Sequence, residues 1–170
     1  MLKYAFHFLA TCLFAVLLFA CSRPPVYPVE PLITFKSLSK NQIAQSRSGI
    51  SLTDTIVVKF AFRDGDGDLG SPDSTNIILK DSRDGFENFF KINAIPKLGP
   101  GSGIEGEIAI KLSNSAVTRY FCCTYPNTRL TCIPNADYPT NTMFYIIRIR
   151  DRAGHWSNDI QTTPITILCQ

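Results

Sequence analysis

An alternating run that ends in a repeating acidic loop is the feature that most limits the fold. Ile56, Val58, Phe60 and Phe62 take every second position, with Thr55, Val57, Lys59 and Ala61 between them. Successive side chains of a strand point to opposite faces, so this run specifies a strand with one apolar face inward. The chain then reads Arg63-Asp64-Gly65-Asp66-Gly67-Asp68-Leu69-Gly70. Three carboxylates at alternate positions repel one another unless a cation or several donors neutralise them. The intervening glycines let the backbone curl so that alternate carboxylates converge. A hard cation with oxygen ligands, Ca²⁺ above all, suits that arrangement.

The rest of the chain repeats the strand signal. Leu32–Leu38 reads as a first strand, and residues 39–54 are polar without a strong pattern. Thr75–Lys80 is a short strand with Ile77 and Leu79 on one face, followed by a turn at Ser82-Arg83-Asp84-Gly85. Phe89–Ile95 is another short strand. Glu107–Leu112 alternates, with Ile108, Ile110 and Leu112 inward, and Val117–Cys122 reads as a strand or an edge. Thr142–Asp151 alternates again, placing Tyr145, Ile147 and Ile149 opposite Arg148 and Arg150, and Ile165–Cys169 closes the chain. No segment has sustained helical periodicity. Seven or eight short strands with turns between them predict an all-β, antiparallel sandwich.

Asp64, Asp66 and Asp68 have the spacing of the first three ligands of an EF-hand loop. The rest of that motif is missing: Leu69 stands at the sixth position where glycine is needed, and Thr75 at the twelfth where glutamate is needed. A loop between strands therefore has to borrow ligands from a neighbour. Asp151 is the first choice, because it ends a strand in phase with the apolar face and precedes a tight turn. Asp73 and Asp81 are weaker choices. The alternative is a solvated acidic turn whose aspartates bond the amides of their own loop. The cation, where bound, is expected to pin the loop and join two strand ends.

Residues 1–20, MLKYAFHFLATCLFAVLLFA, carry Lys3 and then an apolar run from Phe8 to Ala20. That run is shorter than the ~20 residues of a membrane span and fits a signal peptide. Its end, Leu17-Leu18-Phe19-Ala20-Cys21, resembles the lipobox of bacterial lipoproteins. The resemblance implies cleavage before Cys21 and acylation of that cysteine, which anchors the protein to a membrane. Ser22 rather than aspartate follows it, so an outer-membrane address is expected, with the periplasmic face slightly favoured over the cell surface. Residues 21–31 then comprise the lipidated cysteine and a stiff tether with four prolines, and the sandwich domain occupies residues 32–170.

Four cysteines remain: Cys122, Cys123, Cys132 and Cys169. An even number in an exported chain implies two disulfides. A bond between adjacent Cys122 and Cys123 is strained, so one of them is expected to pair with Cys132 and the other with Cys169. The Cys-Cys pair lacks the spacer of common zinc knuckles. His155 is the one histidine beyond the leader, and no nucleophile is placed beside it by sequence. The glycine-rich Lys97–Gly103 lacks the Gly-Lys-Ser/Thr ending of a phosphate loop. The chain has 17 basic against 14 acidic residues, no basic cluster, and thus no signature of nucleic-acid binding. Arg148, Arg150 and Arg152 read as a solvated strand face.

The ending Tyr145–Asn158, with Asp151-Arg152-Ala153-Gly154, resembles the last hairpin of immunoglobulin-like domains in bacterial surface proteins. Tyr138 sits where a tyrosine corner of that fold would form. The resemblance implies an immunoglobulin-like or fibronectin III-like sandwich. Lipobox, proline tether, acidic loop and Asp-Arg-Ala-Gly together also resemble envelope lipoproteins of Bacteroidota, a group that supplies no activity to carry over. The expectation is a membrane-anchored lipoprotein with a Ca²⁺-stabilised binding module for a protein or glycan partner. The alternatives are a structural accessory subunit of an outer-membrane complex or, from another class, a small hydrolase. An exposed apolar patch around Trp156 and Phe144 would favour a partner, and a deep pocket with convergent carboxylates away from residues 64–68 would favour the enzyme.

Overall fold

The computed structural model describes residues 26–46, 53–96, 103–128 and 132–169. The leader, Cys21, the first prolines of the tether and most of the glycine-rich loop lie outside the described residues. Among the described residues there are ten strands and no helix. They are β1 (Leu32–Leu38), β2 (Gln42–Ala44), β3 (Thr55–Asp64), β4 (Ile77–Asp81), β5 (Glu87–Phe90), β6 (Ile104–Ser113), β7 (Thr140–Met143), β8 (Tyr145–Ile149), β9 (Ile160–Gln161) and β10 (Ile165–Leu168). Three sheets result, in the orders β1-β3-β6, β2-β10-β7 and β5-β4-β8-β9. Every pairing is antiparallel except β10 with β2.

The alternation seen in sequence is what builds the core. Ile56, Val58, Phe60 and Phe62 of β3 are all buried, as are Ile77 and Leu79 of β4, Tyr145, Ile147 and Ile149 of β8, and Ile165 and Ile167 of β10. These inward faces join one apolar cluster shared by the three sheets. Apolar area removed from water is the main stabilising term of such a cluster.

Several segments depart from the sequence reading, each for a local reason. Thr142–Asp151 is not one strand. It breaks at Phe144, whose N–H goes to the Ser82 hydroxyl and whose carbonyl accepts from the Ser82 amide. The chain thereby leaves β10 and joins β4. Val117–Cys122 forms turns rather than a strand, with the Thr118 hydroxyl bonded to the carbonyl of Ser113 and Phe121 fully buried. Residues beyond Phe90 do not extend β5. There the side chain of buried Asn76 takes the Ile92 N–H at 2.7 Å and donates to the Ile92 carbonyl, replacing a strand partner. β2 and β9 are only three and two residues long, too short to leave a periodic signal.

Tyr138 does not form a buried corner. It is 43% exposed, and its ring leans on Tyr125. The fully buried tyrosine among the described residues is Tyr145, whose hydroxyl donates to the Tyr120 carbonyl at 2.8 Å. Burial pushes its phenol far above the usual range. Tyr145→Phe leaves that carbonyl without a donor and is expected to cost about 1–3 kcal/mol, read as a lower midpoint in urea.

Two disulfides form: Cys122 with Cys132, which joins two loop residues, and Cys123 with Cys169, which fastens a loop to the end of β10. Neighbouring cysteines thus take different partners, although they lie in irregular chain rather than in a strand.

Candidate metal centre

Period-two alternation delivers two of the four carboxylates. Asp64 is the last residue of β3, in phase with Phe60 and Phe62, so it points inward and is fully buried. Asp151 follows β8 in phase with Ile147 and Ile149 and is 6% exposed. Asp66 and Asp68 come from the loop after β3, where Gly67 takes a left-handed φ of 67° that turns the chain back. Each of Asp64, Asp66, Asp68 and Asp151 offers a carboxylate oxygen, and these four oxygens lie within 4.8 Å of one another.

The two segments are stitched by main chain. Leu69 and Asp151 form an antiparallel bridge. The Arg152 amide donates to the Asp68 carbonyl at 3.3 Å, and its guanidinium donates to the carbonyls of Leu69 and Gly70. Arg152 is therefore a clasp between the loops, not part of a solvated strand face. The other two arginines stack on Trp156, with guanidinium carbons 4.5 and 5.5 Å from the ring centre.

Hydrogen bonding within the cluster is uneven. Asp64 Oδ2 accepts from the amides of Asp68 and Leu69 at 2.8 and 3.0 Å. Asp151 Oδ1 accepts from the amides of Gly154 and His155, and its Oδ2 lies 2.9 Å from His155 Nδ1. By contrast, Asp64 Oδ1, Asp66 Oδ1 and Asp68 Oδ1 are buried with no hydrogen-bond partner. A solvated acidic turn would spend those oxygens on amides or water. Buried and unpartnered, they are costly. Burial first, then the charge of Asp66, pushes the Asp64 carboxyl up to about 6. The Asp151 carboxylate holds the His155 imidazole above its ordinary value.

An all-oxygen set with several carboxylates suits a hard divalent cation. The four aspartates are competent to hold such an ion. Asp73 and Asp81 are not part of the cluster. Asp73 is exposed in the Ser71–Ser74 turn. Asp81 is held by Arg83 through both oxygens, while the same guanidinium reaches the Cys122 carbonyl and Asn141.

His155 was missed as a neighbour of the site. The signal was present: it lies four residues after Asp151, across the tight turn that Asp151 itself caps.

No protein-family model matches the chain, and no curated protein matches it.

Proposed function

We propose that this chain is a lipid-anchored module of the cell envelope whose immunoglobulin-like sandwich is stiffened at one end by a bound Ca²⁺. The observation that carries the reading is the trio of buried, unpartnered carboxylate oxygens on Asp64, Asp66 and Asp68. Asp151 closes the group from the far segment, so the ion joins the ends of β3 and β8. Its role is structural: Asp151 is tied to the loop through its bridge to Leu69 and is held in turn by His155.

The binding surface is sought away from the ion. Trp156 stays 39% exposed although two guanidinium groups lie against its ring, and Phe144 is half-buried. More exposed apolar side chains lie at Phe86, Phe89 and Val117. Phe86 and Val117 border an open groove of about 440 Å³ between the β4–β5 turn and the 117–124 loop. Its carboxylates are engaged, Asp81 with Arg83 and Asp84 with the Phe86 amide. That supports a binding role, for a protein or glycan of the envelope, over hydrolysis.

Two measurements test the reading. Equilibrium dialysis against ⁴⁵Ca²⁺ is expected to give one ion per chain, and none when Asp64, Asp66 and Asp68 are all changed to Asn. Cys21→Ala is expected to move the protein from the membrane fraction to the soluble fraction. Retention of that variant in the membrane would remove the lipid anchor from the proposal.

A further inference from the structure

The proline-rich tether does not leave the domain freely. Its last residues lie against the acidic loop. The Gly65 amide, between Asp64 and Asp66, donates to the Pro28 carbonyl at 2.8 Å. The contact is backbone on backbone: a Cβ at Gly65 would fall 2.3 Å from the Tyr27 carbonyl oxygen and 2.5 Å from that of Pro28. Tyr27 fixes the other side. Its hydroxyl donates to Glu105 at 2.9 Å, its ring lies 5.6 Å from the Arg63 guanidinium carbon, and a Cβ at Gly103 would come within 2.8 Å of it. Arg63 and Glu105 also pair with each other at 3.4 Å.

We propose that cation binding at the four aspartates clamps the tether onto the domain, and that removing the cation releases it. The proposal rests on the cation reading above and adds the control that the site exerts. Gly65 is the shared element. Its position is set on one side by whether Asp64 and Asp66 are drawn together or repel, and on the other by the bond to Pro28. The Tyr27 hydroxyl bond and the Arg63–Glu105 pair beside it are exposed to solvent and therefore weak. Docking therefore sits near balance, where a change in one loop decides it. Coupling of this kind is reciprocal: a docked tether must strengthen cation binding by the same factor.

The consequence is a change of reach. Release of the segment from Tyr27 to Pro31 adds about 12 Å of extended chain at ~3.1 Å per residue. Cation concentration would then set how far the domain stands from the membrane.

The test uses the full chain, exported under oxidising conditions and kept in detergent. Nitrogen-15 relaxation of the Tyr27 and Val29 amides and hydrogen exchange of the Gly65 amide are measured with Ca²⁺ and with chelator. With Ca²⁺, Tyr27 and Val29 are expected to be as rigid as β3, and Gly65 to exchange at least about fivefold more slowly than in chelator. Tyr27→Ala and Gly103→Ala, on opposite sides of the contact, are each expected to free the tether with Ca²⁺ present. Each is also expected to weaken Ca²⁺ binding by about fivefold or more. Should Ca²⁺ bind and raise the melting temperature while tether relaxation stays the same, the clamp is overturned and the cation site stands. Absence of Ca²⁺ binding at millimolar concentration overturns both.

Discussion

Calcium at about 10 mM is expected to raise the melting temperature of the oxidised protein by roughly 4–8 °C over the chelated form. The size follows from mass action. Weak Ca²⁺ sites such as those of extracellular modules bind in the range of about 10⁻⁴–10⁻³ M, and at that affinity this concentration would contribute about 1.4–2.7 kcal/mol to the folded state alone. At roughly 3 °C per kcal/mol for a domain of this length, the shift lies well above the error of a thermal melt. Changing Asp64, Asp66 and Asp68 together to Asn is expected to abolish it. A shift that survives the triple change would place the ion elsewhere.

The same melts carry a pH test. In chelator the folded Asp64 carboxyl is raised from 3.8 to about 6. Between those values the folded state binds a proton that the unfolded chain has released. Stability from that proton is present in full below about pH 4 and is lost as pH rises through 6. The Asp64 contribution to the chelated protein therefore falls from pH 4 to pH 6. With Ca²⁺ bound the ionised carboxylate is the favoured form in the folded state too, so that fall between pH 4 and pH 6 is expected to disappear. Parallel pH profiles in the two conditions would contradict this.

Loss of the Cys123–Cys169 bridge is expected to cost about 4 kcal/mol, the larger of the two disulfide effects. The bond spans 46 residues, against 10 for Cys122–Cys132, and a longer closed loop restricts the unfolded chain more. Both of its cysteines are buried in the core cluster, and it ties the end of β10 to the 120–125 segment. The double change Cys122→Ala with Cys132→Ala is expected to cost about 3 kcal/mol. Urea denaturation of the two double variants gives the order directly. A larger loss for the shorter loop would mean that contacts in the folded state, rather than the unfolded chain, set the contribution.

The sequence was most informative where one period persisted. β3 alternates through all ten of its residues, and the inward face from Ile56 to Phe62 could be named residue by residue, while the inward place of Asp64 came only with the structure. The same phase rule pointed to Asp151. It failed where side chains replaced ladder partners. Ser82 splits β7 from β8, and Asn76 takes the place of a strand beside Ile92; both bonds join residues far apart in the chain. Nothing in the local pattern of Thr142–Asp151 or Phe89–Ile95 announces such a partner. Arg152 was misassigned for a related reason. Its neighbours alternate like a strand, but its guanidinium bonds carbonyls more than eighty positions away.

The sequence by itself determined an all-β chain, an acidic loop with three carboxylates on alternate positions, and an even set of cysteines with few pairings open. These are properties of short range and fixed period, which the backbone enforces without a fold. Only the tertiary structure decided that three sheets share the core, that Cys123 rather than Cys122 meets Cys169, and that the carboxylates of the loop converge with Asp151 while three of their oxygens stay unpartnered. It also decided that the tether lies against Gly65. Each is a meeting of distant segments, set by how apolar faces come together and which polar groups are then shut away from water.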